Sequence, residues 1–427
     1  MEKYLKKLPV ELQDLISLAA EVSEAKKMRA FLVGGFVRDL ILGAKNLDLD
    51  ILVEGEGIKF AEDLASRLQG NLIRHKRFNT ATVTLGHNLK IDVATAREEI
   101  YPVPASLPLV TSGRVKDDLK RRDFSINAMA ISINKDDYGK LVDFFNGRRD
   151  LRDKKIRALH SLSFIDDPTR ILRAIRFEQR FNFKISPETL KILKEASRLK
   201  MLEKVQPQRL RDELILILKE DDPISQIKRI QKLVGLSFIH PHLKASENIL
   251  DLLRSSRKQI SWFRKNFSER RHLDVWLIYF MALLNESNLD VIKSIFSAFV
   301  FRKGEEKRII SYKKISKKLI QELSQKDLKP SRIFYLLDPV SYEVILLLKA
   351  KYKNNNFNRY IEDFLEIYNF MRVHVTGHDL YRLGFEPGPY YQKIFTKVLK
   401  AKLNGIVKTK EEELSLINKL FKCHQLY

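Results

Sequence analysis

The sequence contains little cysteine, glycine, proline and tryptophan: its 427 residues include one Cys, 16 Gly, 13 Pro and 2 Trp. The single cysteine, Cys423, excludes a disulfide within the chain, and the N-terminal segment lacks the apolar core of a signal peptide, so we expect a reducing, cytoplasmic setting. The low Gly and Pro content excludes a collagen-like or Pro-rich fibre. No uninterrupted apolar run approaches the ~20 residues of a membrane helix, so we expect no membrane partner.

The sequence has the composition of a globular protein and a large excess of positive charge. Hydrophobic residues make up 44% and charged residues 31% of the chain, which is enough for sizeable cores, and the length predicts several modules. The 78 Lys and Arg outnumber the 54 Asp and Glu, giving a net charge of +24. This excess favours a polyanionic partner such as nucleic acid, although a solvated basic surface produces the same number.

The pattern of apolar residues divides the chain near residue 159. Before it, short β-like runs alternate with helical stretches such as Gly57–Leu68, which predicts an α/β domain around one sheet. After it, apolar residues recur every three to four positions, which predicts helix after helix. The fold class is therefore α+β. The predicted strands are Ala30–Val33, Leu47–Val53, Asn71–Ile73, Thr80–Leu85, Lys90–Ala94 and Ala128–Ile133.

The first candidate site is a glycine turn between a strand and a helix. Gly34 and Gly35 follow an apolar run, and Arg38 stands one turn further along. Backbone N–H groups at such a turn can approach phosphates closely, with the arginine as counter-charge. A Gly-Gly pair alone is weak evidence for this function.

Two aspartates follow on the next predicted strand. Asp48 and Asp50 are two residues apart, so their carboxylates point to the same face between apolar neighbours. A divalent cation with oxygen ligands, Mg²⁺, explains such a pair economically, whereas solvated aspartates at a strand end are the alternative. Asp92, in another apolar run, is the best candidate for a third metal carboxylate, and an edge-strand aspartate facing water is equally compatible.

Two further clusters combine charged and amide side chains. Arg122, Asp123 and Asn127 offer a donor fork, an acceptor and an amide, a set that suits ribose and phosphate; a helix N-terminal ion pair is the alternative. Asp167 precedes a proline in the manner of a helix cap. Capping does not explain Arg170, which follows three residues later, and an aspartate with an arginine one turn away can read the edge of a base.

The arginines of that last segment continue the same spacing. Arg170, Arg173 and Arg176 recur every three residues, while apolar residues occupy the other side. The spacing predicts one basic stripe along a helix.

Together these segments resemble the class II tRNA nucleotidyltransferases, which add CCA, CC or A to tRNA, and the similar bacterial poly(A) polymerases. The motifs occur in the family's order as LVGGFVRDLILGAKNLDLDILVEG, RRDFSINAMAI, VDFFNGRRDLRDKKIRAL and DDPTRILRAIRF, and the match covers roughly the first 215 residues. The resemblance implies a polymerase-β-like nucleotidyltransferase head (1–155), a helical neck (156–215), a helical body (216–355) and a tRNA-binding helical tail (356–427).

The resemblance also implies roles for the candidate residues. Gly34, Gly35 and Arg38 would hold the triphosphate, and Asp48 and Asp50 would bind Mg²⁺. Arg122 and Asp123 would contact the ribose with support from Asn127. Asp167 and Arg170 would pair with the base of CTP or ATP, and Arg173 would contact phosphate. The implied partners are the tRNA 3′ end, CTP and ATP; the sequence indicates no oligomeric state.

Some positions depart from the family pattern. The usual Glu-Asp-x-x-Arg begins with Asp166, and the usual Glu-Arg-x-x-x-Glu-Leu begins with Gln208, which puts a helix-to-helix pairing there in doubt. The segment 95–120 corresponds to a flexible loop of the family and resembles that of the A-adding specialists and of family members with extra domains. The implied function is therefore addition of CCA, or part of it, to tRNA. The alternatives are an A-adding or CC-adding specialist, a poly(A) polymerase, and a catalytically silent RNA-binding protein.

Overall fold

The computed structural model describes residues 1–44, 48–86, 89–267, 269 and 272–421. Cys423 and residues 45–47 of the glycine and aspartate motif therefore lie outside the described residues. Contacts divide the chain into two compact units, Met1–Lys244 and Ala245–Tyr427, and each unit is described by itself. The predicted division into head, neck, body and tail, with boundaries after residues 155, 215 and 355, stays a prediction.

The first unit has the mixed α/β composition that the sequence predicts, with helices beside a sheet. Its helices are α1 (Glu2–Leu5), α2 (Val10–Ala25), α3 (Gly35–Leu42), α4 (Gly57–Leu68), α5 (Val115–Lys120), α6 (Gly147–Arg152), α7 (Ser163–Asp166), α8 (Thr169–Arg180), α9 (Pro187–Arg198), α10 (Pro207–Lys219) and α11 (Pro223–Leu233). Its strands are β1 (Arg29–Val33), β2 (Leu49–Glu54), β3 (Asn71–His75), β4 (Thr80–Thr84), β5 (Lys90–Thr95), β6 (Arg97–Ile100), β7 (Leu109–Ser112), β8 (Ala130–Ser132), β9 (Leu141–Val142), β10 (Lys155–Ile156) and β11 (Lys184–Ile185).

A seven-stranded sheet in the order β3-β4-β5-β2-β1-β8-β9 forms the centre of this unit. All neighbours run antiparallel except β2 and β5, which are parallel. A parallel pair needs a crossover, and here the chain makes it through α4 and the β3–β4 hairpin. The apolar side chains of β1 and β2 are almost fully buried, so the centre of the sheet is the core of the unit.

The predicted strands and the helix Gly57–Leu68 are confirmed, with ends that differ by up to two residues. One shift matters for the site. Strand β2 begins at Leu49, so Asp48 immediately precedes the strand rather than lying on it.

The segment 95–120, which corresponds to a flexible loop of the family, contains a β-hairpin and a helix. Strands β6 and β7 pair as an antiparallel hairpin, with Arg97 opposite Ser112 and Ile100 opposite Leu109. Helix α5 follows directly.

Helix α8 is the centre of the helical end of the first unit and packs against α10 and α11. The Arg176 guanidinium donates to Glu213 at 2.7 Å, and that of Arg229 donates to Glu178 at 2.6 Å. The pairing of α8 with α10 is thus present although position 208 is Gln. The short parallel strands β10 and β11 pair with each other beside α8, and neither of them was predicted.

The second unit is helical throughout its described residues. Helices α12, α13 and α18 pack together, and α13 is buried along nearly its whole length because it is apolar on every side. The helices are α12 (Glu247–Phe267), α13 (Val275–Leu283), α14 (Leu289–Phe299), α15 (Lys303–Lys313), α16 (Lys317–Leu323), α17 (Pro330–Leu337), α18 (Tyr342–Lys351), α19 (Asn355–Glu366), α20 (Gly377–Arg382), α21 (Pro389–Leu403) and α22 (Lys410–Phe421). Among the described residues, no helix combines the length and apolar character needed to cross a membrane.

Two aromatic residues and one aspartate of this unit have structural roles. Phe263 and Phe267 are buried and their rings pack 5.1 Å apart, as expected for core residues. Asp379 forms a capping box with Thr376 at the start of α20 and an ion pair with Lys410 at 2.8 Å. Asp379 is therefore part of a helix cap.

Gly147, at the start of α6, supports the segment that follows α5. A Cβ at this position would lie 2.2 Å from the carbonyl oxygen of Ser125 and 2.8 Å from Met129. We predict that Gly147→Ala lowers the free energy of unfolding by about 1–3 kcal/mol, the usual cost of overpacking. Gly304→Ala is the matched control, because a Cβ there meets no atom within 4 Å and Gly304 lies in helix α15.

Alanine at position 304 is expected to raise stability by ~0.5–1 kcal/mol through helix propensity. Denaturant unfolding followed by circular dichroism measures both variants. Equal stability of Gly147→Ala and the wild type would contradict the close packing of α6 on Ser125.

Candidate active site

The turn between β1 and α3 has room for glycine only. Gly34 has φ +68°, a left-handed conformation that disfavours side chains, and a Cβ there would lie 2.6 Å from a guanidinium nitrogen of Arg122. The same Cβ would lie 3.8 Å from Asp50 Oδ2. The glycine therefore lets Arg122 and Asp50 approach the backbone where α3 begins.

Two of the three predicted metal carboxylates, Asp50 and Asp92, lie opposite each other in the interior of the sheet. Asp50 on β2 is directly opposite Asp92 on the parallel strand β5, so both side chains share one face. Strand β5 is an interior strand, which excludes the edge-strand alternative for Asp92. Asp92 accepts hydrogen bonds from Thr82 Oγ1 at 2.7 Å and from Lys90 Nζ at 2.5 Å.

The donor set fits a cation that is shared with a substrate. Burial raises the pKa of Asp50 to about 6; the charge of Arg122 opposes this shift, and those of Asp92 and Asp48 add to it. Among the residues that the structure describes, no three His, Cys, Asp or Glu side chains form a cluster able to hold a metal by themselves. Mg²⁺ commonly takes only one or two protein carboxylates and completes its shell with water and phosphate oxygens. Asp50 offers one such carboxylate, and Asp48 immediately precedes the same strand.

Arg122 is held by a carboxylate that the sequence analysis missed. Asp118 is fully buried, and its two oxygens divide between the neighbouring arginines: Arg121 donates to Oδ1 at 2.6 Å and Arg122 to Oδ2 at 2.9 Å. Arg121 also donates to Glu99 on β6 at 3.0 Å, which ties the hairpin to this network. The only sequence signal was the three- and four-residue spacing of Asp118 from these arginines.

Asp123 and Asn127 form the next part of the wall. Asp123 accepts hydrogen bonds from Asn127 Nδ2 at 2.9 Å and from Arg173 Nε at 2.8 Å, and Arg38 donates to Asn127 Oδ1 at 2.7 Å. Burial alone would raise the pKa of Asp123, but the charge of Arg173 and these hydrogen bonds outweigh it and lower the pKa. Arg38 is buried, pairs with Asp39 at 2.8 Å, and thus acts within the protein as well as lining the site.

Asp167 and Arg170 lie at the start of α8. Asp167 Oδ1 accepts from the backbone N–H and hydroxyl of Thr169, at 3.1 and 2.6 Å, and therefore caps the helix, as the alternative interpretation expected. Arg170 is buried and donates to Ser163 Oγ at 2.9 Å and to the Arg121 carbonyl at 2.7 Å. The predicted stripe of arginines is thus turned inward, with each guanidinium bound to another element.

One cavity of about 1000 Å³ collects these side chains within the first unit. All of the predicted site residues line it except Asp48 and Asp92, and Asp92 lines a neighbouring cavity of about 470 Å³. Asp50 and Arg122 line both cavities. Residues of the wall that the sequence analysis did not assign include Arg77, Phe78, Glu99, Tyr101, Arg121 and Arg209.

The lining of the cavity combines a glycine turn, carboxylates and guanidinium groups. The glycine turn and Arg122 present positive groups beside Asp50, whereas Asp167 and Arg170 belong to the helical wall.

Two family models match the first unit. Residues 30–157 match the "Poly A polymerase head domain", and residues 182–247 match the "Probable RNA and SrmB- binding site of polymerase A". The first contains the sheet and its carboxylates, and the second begins directly after α8.

Curated relatives extend the similarity over the whole chain. An A-adding tRNA nucleotidyltransferase of Geobacter sulfurreducens is 37% identical over 94% of this chain, which spans 46% of that protein. An A-adding tRNA nucleotidyltransferase of Halalkalibacterium halodurans is 32% identical, with 96% of this chain and 93% of that protein covered. The chain thus spans about half the length of the first relative and nearly all of the second.

A solved structure agrees with these relatives. The Thermotoga maritima CCA-adding enzyme complexed with tRNA is 34% identical, covers 98% of each chain and superposes with a TM-score of 0.72. The mixed α/β head, the helical remainder and the similarity along the full length lead to one conclusion. The chain belongs to the tRNA nucleotidyltransferase family.

Proposed function

We propose that this chain transfers a nucleotidyl group from a nucleoside triphosphate to the 3′ end of a tRNA, without a nucleic-acid template and with Mg²⁺. The observation that carries the proposal is the single cavity that combines the glycine turn, Asp50, the Asp123–Asn127 wall and Asp167. A silent RNA-binding protein would not need a cavity of this size with such a lining.

In this proposal the nucleotide spans the cavity. The backbone at Gly34 and Gly35 and the guanidinium groups of Arg38 and Arg122 receive the triphosphate. Asp123 and Asn127 form the ribose wall, and Asp167 receives the base edge. Arg170 and Arg173 brace this wall, because their guanidinium groups already bind Ser163 and Asp123.

The reaction forms one phosphoester bond and breaks one phosphoanhydride bond. The tRNA 3′-hydroxyl oxygen attacks the α-phosphorus, its proton is lost, and pyrophosphate leaves with the electrons of the α–β bridge. Mg²⁺, when held by Asp48 and Asp50, would lower the pKa of the hydroxyl and neutralise phosphate charge. Asp92 is proposed as a further carboxylate ligand of the metal. Its hydrogen bond from Lys90 would then have to break.

We propose terminal A addition as the specific role. Both curated relatives described above are A-adding enzymes, and the segment that contains the β6–β7 hairpin resembles that of the A-adding specialists. The matching poly(A) polymerase head model keeps longer A addition as the second candidate.

We propose that the helical part of the chain binds the phosphate groups of the tRNA. The net charge of +24 supplies the attraction, and binding of this kind weakens steeply with salt. In the predicted division, the tail from residue 356 contacts the tRNA elbow through the turn at Gly384 and Pro387–Pro389.

Extension of tRNA transcripts tests the proposed role. Three transcripts that end at the discriminator base, at C and at CC are incubated with Mg²⁺ and labelled ATP or CTP, separately and together. We expect one A on the transcript that ends at CC and no C on any transcript, because an A-adding enzyme transfers a single nucleotide to that end.

Other products would change the conclusion in a defined way. Stepwise addition of C, C and A would assign the complete CCA activity, and addition of CC followed by arrest would assign the CC-adding role. Long A tails would assign the poly(A) polymerase activity. No extension of any end would overturn the proposed function.

Removal of the charge of Asp50 tests the metal assignment. We predict that Asp50→Asn lowers kcat by about 10³-fold or more, because a bound metal contributes several kcal/mol to the transition state. Affinity for tRNA should change by less than about twofold, since phosphate contacts elsewhere dominate binding. Asp63→Asn on α4, which pairs with Lys26 and Arg67, is the control and should retain full turnover. Retained turnover of Asp50→Asn would refute the metal assignment.

A further inference from the structure

A small cavity within the second unit lies where three helices end. Its volume is about 110 Å³. Helix α15 ends at Lys313, helix α18 ends at Lys351, and Asn285 follows the end of α13. The buried side chains of Tyr312 and Leu348 complete its inner wall.

Both lysines of this cavity are held by neutral groups. The Lys313 ammonium donates to the carbonyl oxygens of Leu284 and Asn285, at 3.4 and 2.9 Å. The Lys351 ammonium donates to Asn285 Oδ1 at 2.9 Å, and its Nζ lies 5.6 Å from the ring centroid of Tyr312. Among the described residues, neither lysine forms an ion pair, and no Asp or Glu lines the cavity. Two positive charges therefore lie side by side without a carboxylate.

The charge of the cavity is not balanced by the protein. Burial lowers the pKa of Lys313, and the charge of Lys351 lowers it further. Burial also lowers the pKa of Lys351. The helix ends offset the two ammonium charges only in part, because each end carries about half a unit of negative charge. An anion between the lysines would supply the missing charge.

The hydrogen-bonding groups that remain unused in the cavity are donors. An ammonium group has three N–H donors; Lys313 uses two of them and Lys351 uses one. Asn285 Oδ1 already accepts from Lys351 and from the Tyr312 hydroxyl, the latter at 2.6 Å. The Nδ2 group of Asn285 has no acceptor among the described residues. The cavity thus offers N–H groups from three side chains to one ligand.

From this geometry we propose that the cavity at the ends of α13, α15 and α18 is an anion site that binds a phosphate group through Lys313, Lys351 and the amide of Asn285. A tetrahedral oxyanion fits its size, since a water-sized oxygen takes up about 30 Å³. Lysine binds phosphate as a point charge. The phosphate group belongs either to the tRNA backbone or to free inorganic phosphate. The inference goes beyond the proposed function, because this cavity lies in the second unit and takes no part in the transfer.

Acetylation of individual lysines in the full chain tests the site. The wild-type protein is treated briefly with acetic anhydride in chloride buffer, in inorganic phosphate of equal ionic strength, and with tRNA. Mass spectrometry of peptides gives the rate of acetylation at each lysine. Lys353 is the matched control for Lys351, because it lies two residues further along, is exposed and does not line the cavity.

We expect phosphate to protect Lys351 but not Lys353. At about four times its Kd, phosphate leaves about one fifth of the sites free, so acetylation of Lys351 should be about fivefold slower. A bound anion shields the amine and favours its charged, unreactive form. The rate at Lys353 should stay unchanged.

The tRNA sample and two variants identify the source of the phosphate group. If it belongs to tRNA, then tRNA protects Lys351, and Lys351→Gln lowers the slope of log Kd for tRNA against log salt concentration by about one. Lys353→Gln should leave that slope unchanged. If free phosphate is the ligand, phosphate protects Lys351, tRNA does not, and both variants bind tRNA as the wild type does. Circular dichroism checks the fold of the variants.

Two results would overturn the inference. Unchanged acetylation of Lys351 in both phosphate and tRNA would leave the lysines as caps of helix ends. Equal protection of Lys351 and Lys353 would show general screening of surface amines instead of a site. Neither measurement requires nucleotidyl transfer, so failure of this inference is distinct from failure of the proposed function.

Discussion

The ion pair between the buried Asp123 and the half-buried Arg173 joins the sheet to the helical part of the first unit. Arg173 Nη2 lies 2.6 Å from Asp123 on the segment after α5, so helix α8 is joined to the strands through one carboxylate. The same carboxylate binds Asn127, which binds Arg38 at the start of α3. The walls of the cavity therefore depend on this network of connected side chains.

Arginine serves mainly as an internal connector in this site. Arg121 and Arg122 share Asp118, Arg176 binds Glu213, and Arg38 binds Asp39. The planar guanidinium group suits this role because it donates in a fixed fork to carboxylates. The cations of the site are thus largely matched by acids of the same unit, and the excess charge of the chain belongs to other lysines and arginines.

Local sequence was sufficient to predict six of the seven strands of the large sheet and ten of the residues that line the cavity. The apolar runs around Phe31 and Ile51 mark buried strands. Asp48 was placed on the strand because a two-residue spacing implies a shared face, but β2 begins one residue later.

The remaining features depend on contacts between distant segments. The stripe of Arg170 and Arg176 reads as solvent-facing, since nothing in α8 shows that Ser163 and Glu213 come to meet it. The short strand β11 forms only because β10, nearly thirty residues earlier, lies beside it. Asp118 and Arg209 were missed for the same reason, because their partners become apparent only in three dimensions.

The single parallel strand pair in the large sheet also determines when the site forms during folding. Asp50 and Asp92 share a face only when β2 and β5 pair, and these strands are separated in sequence by α4 and a whole hairpin. Contacts between distant segments close late in folding because a long loop must first be ordered. During synthesis, a chain that ends before β5 therefore lacks this carboxylate pair, and a cation would find it only after the crossover has been completed.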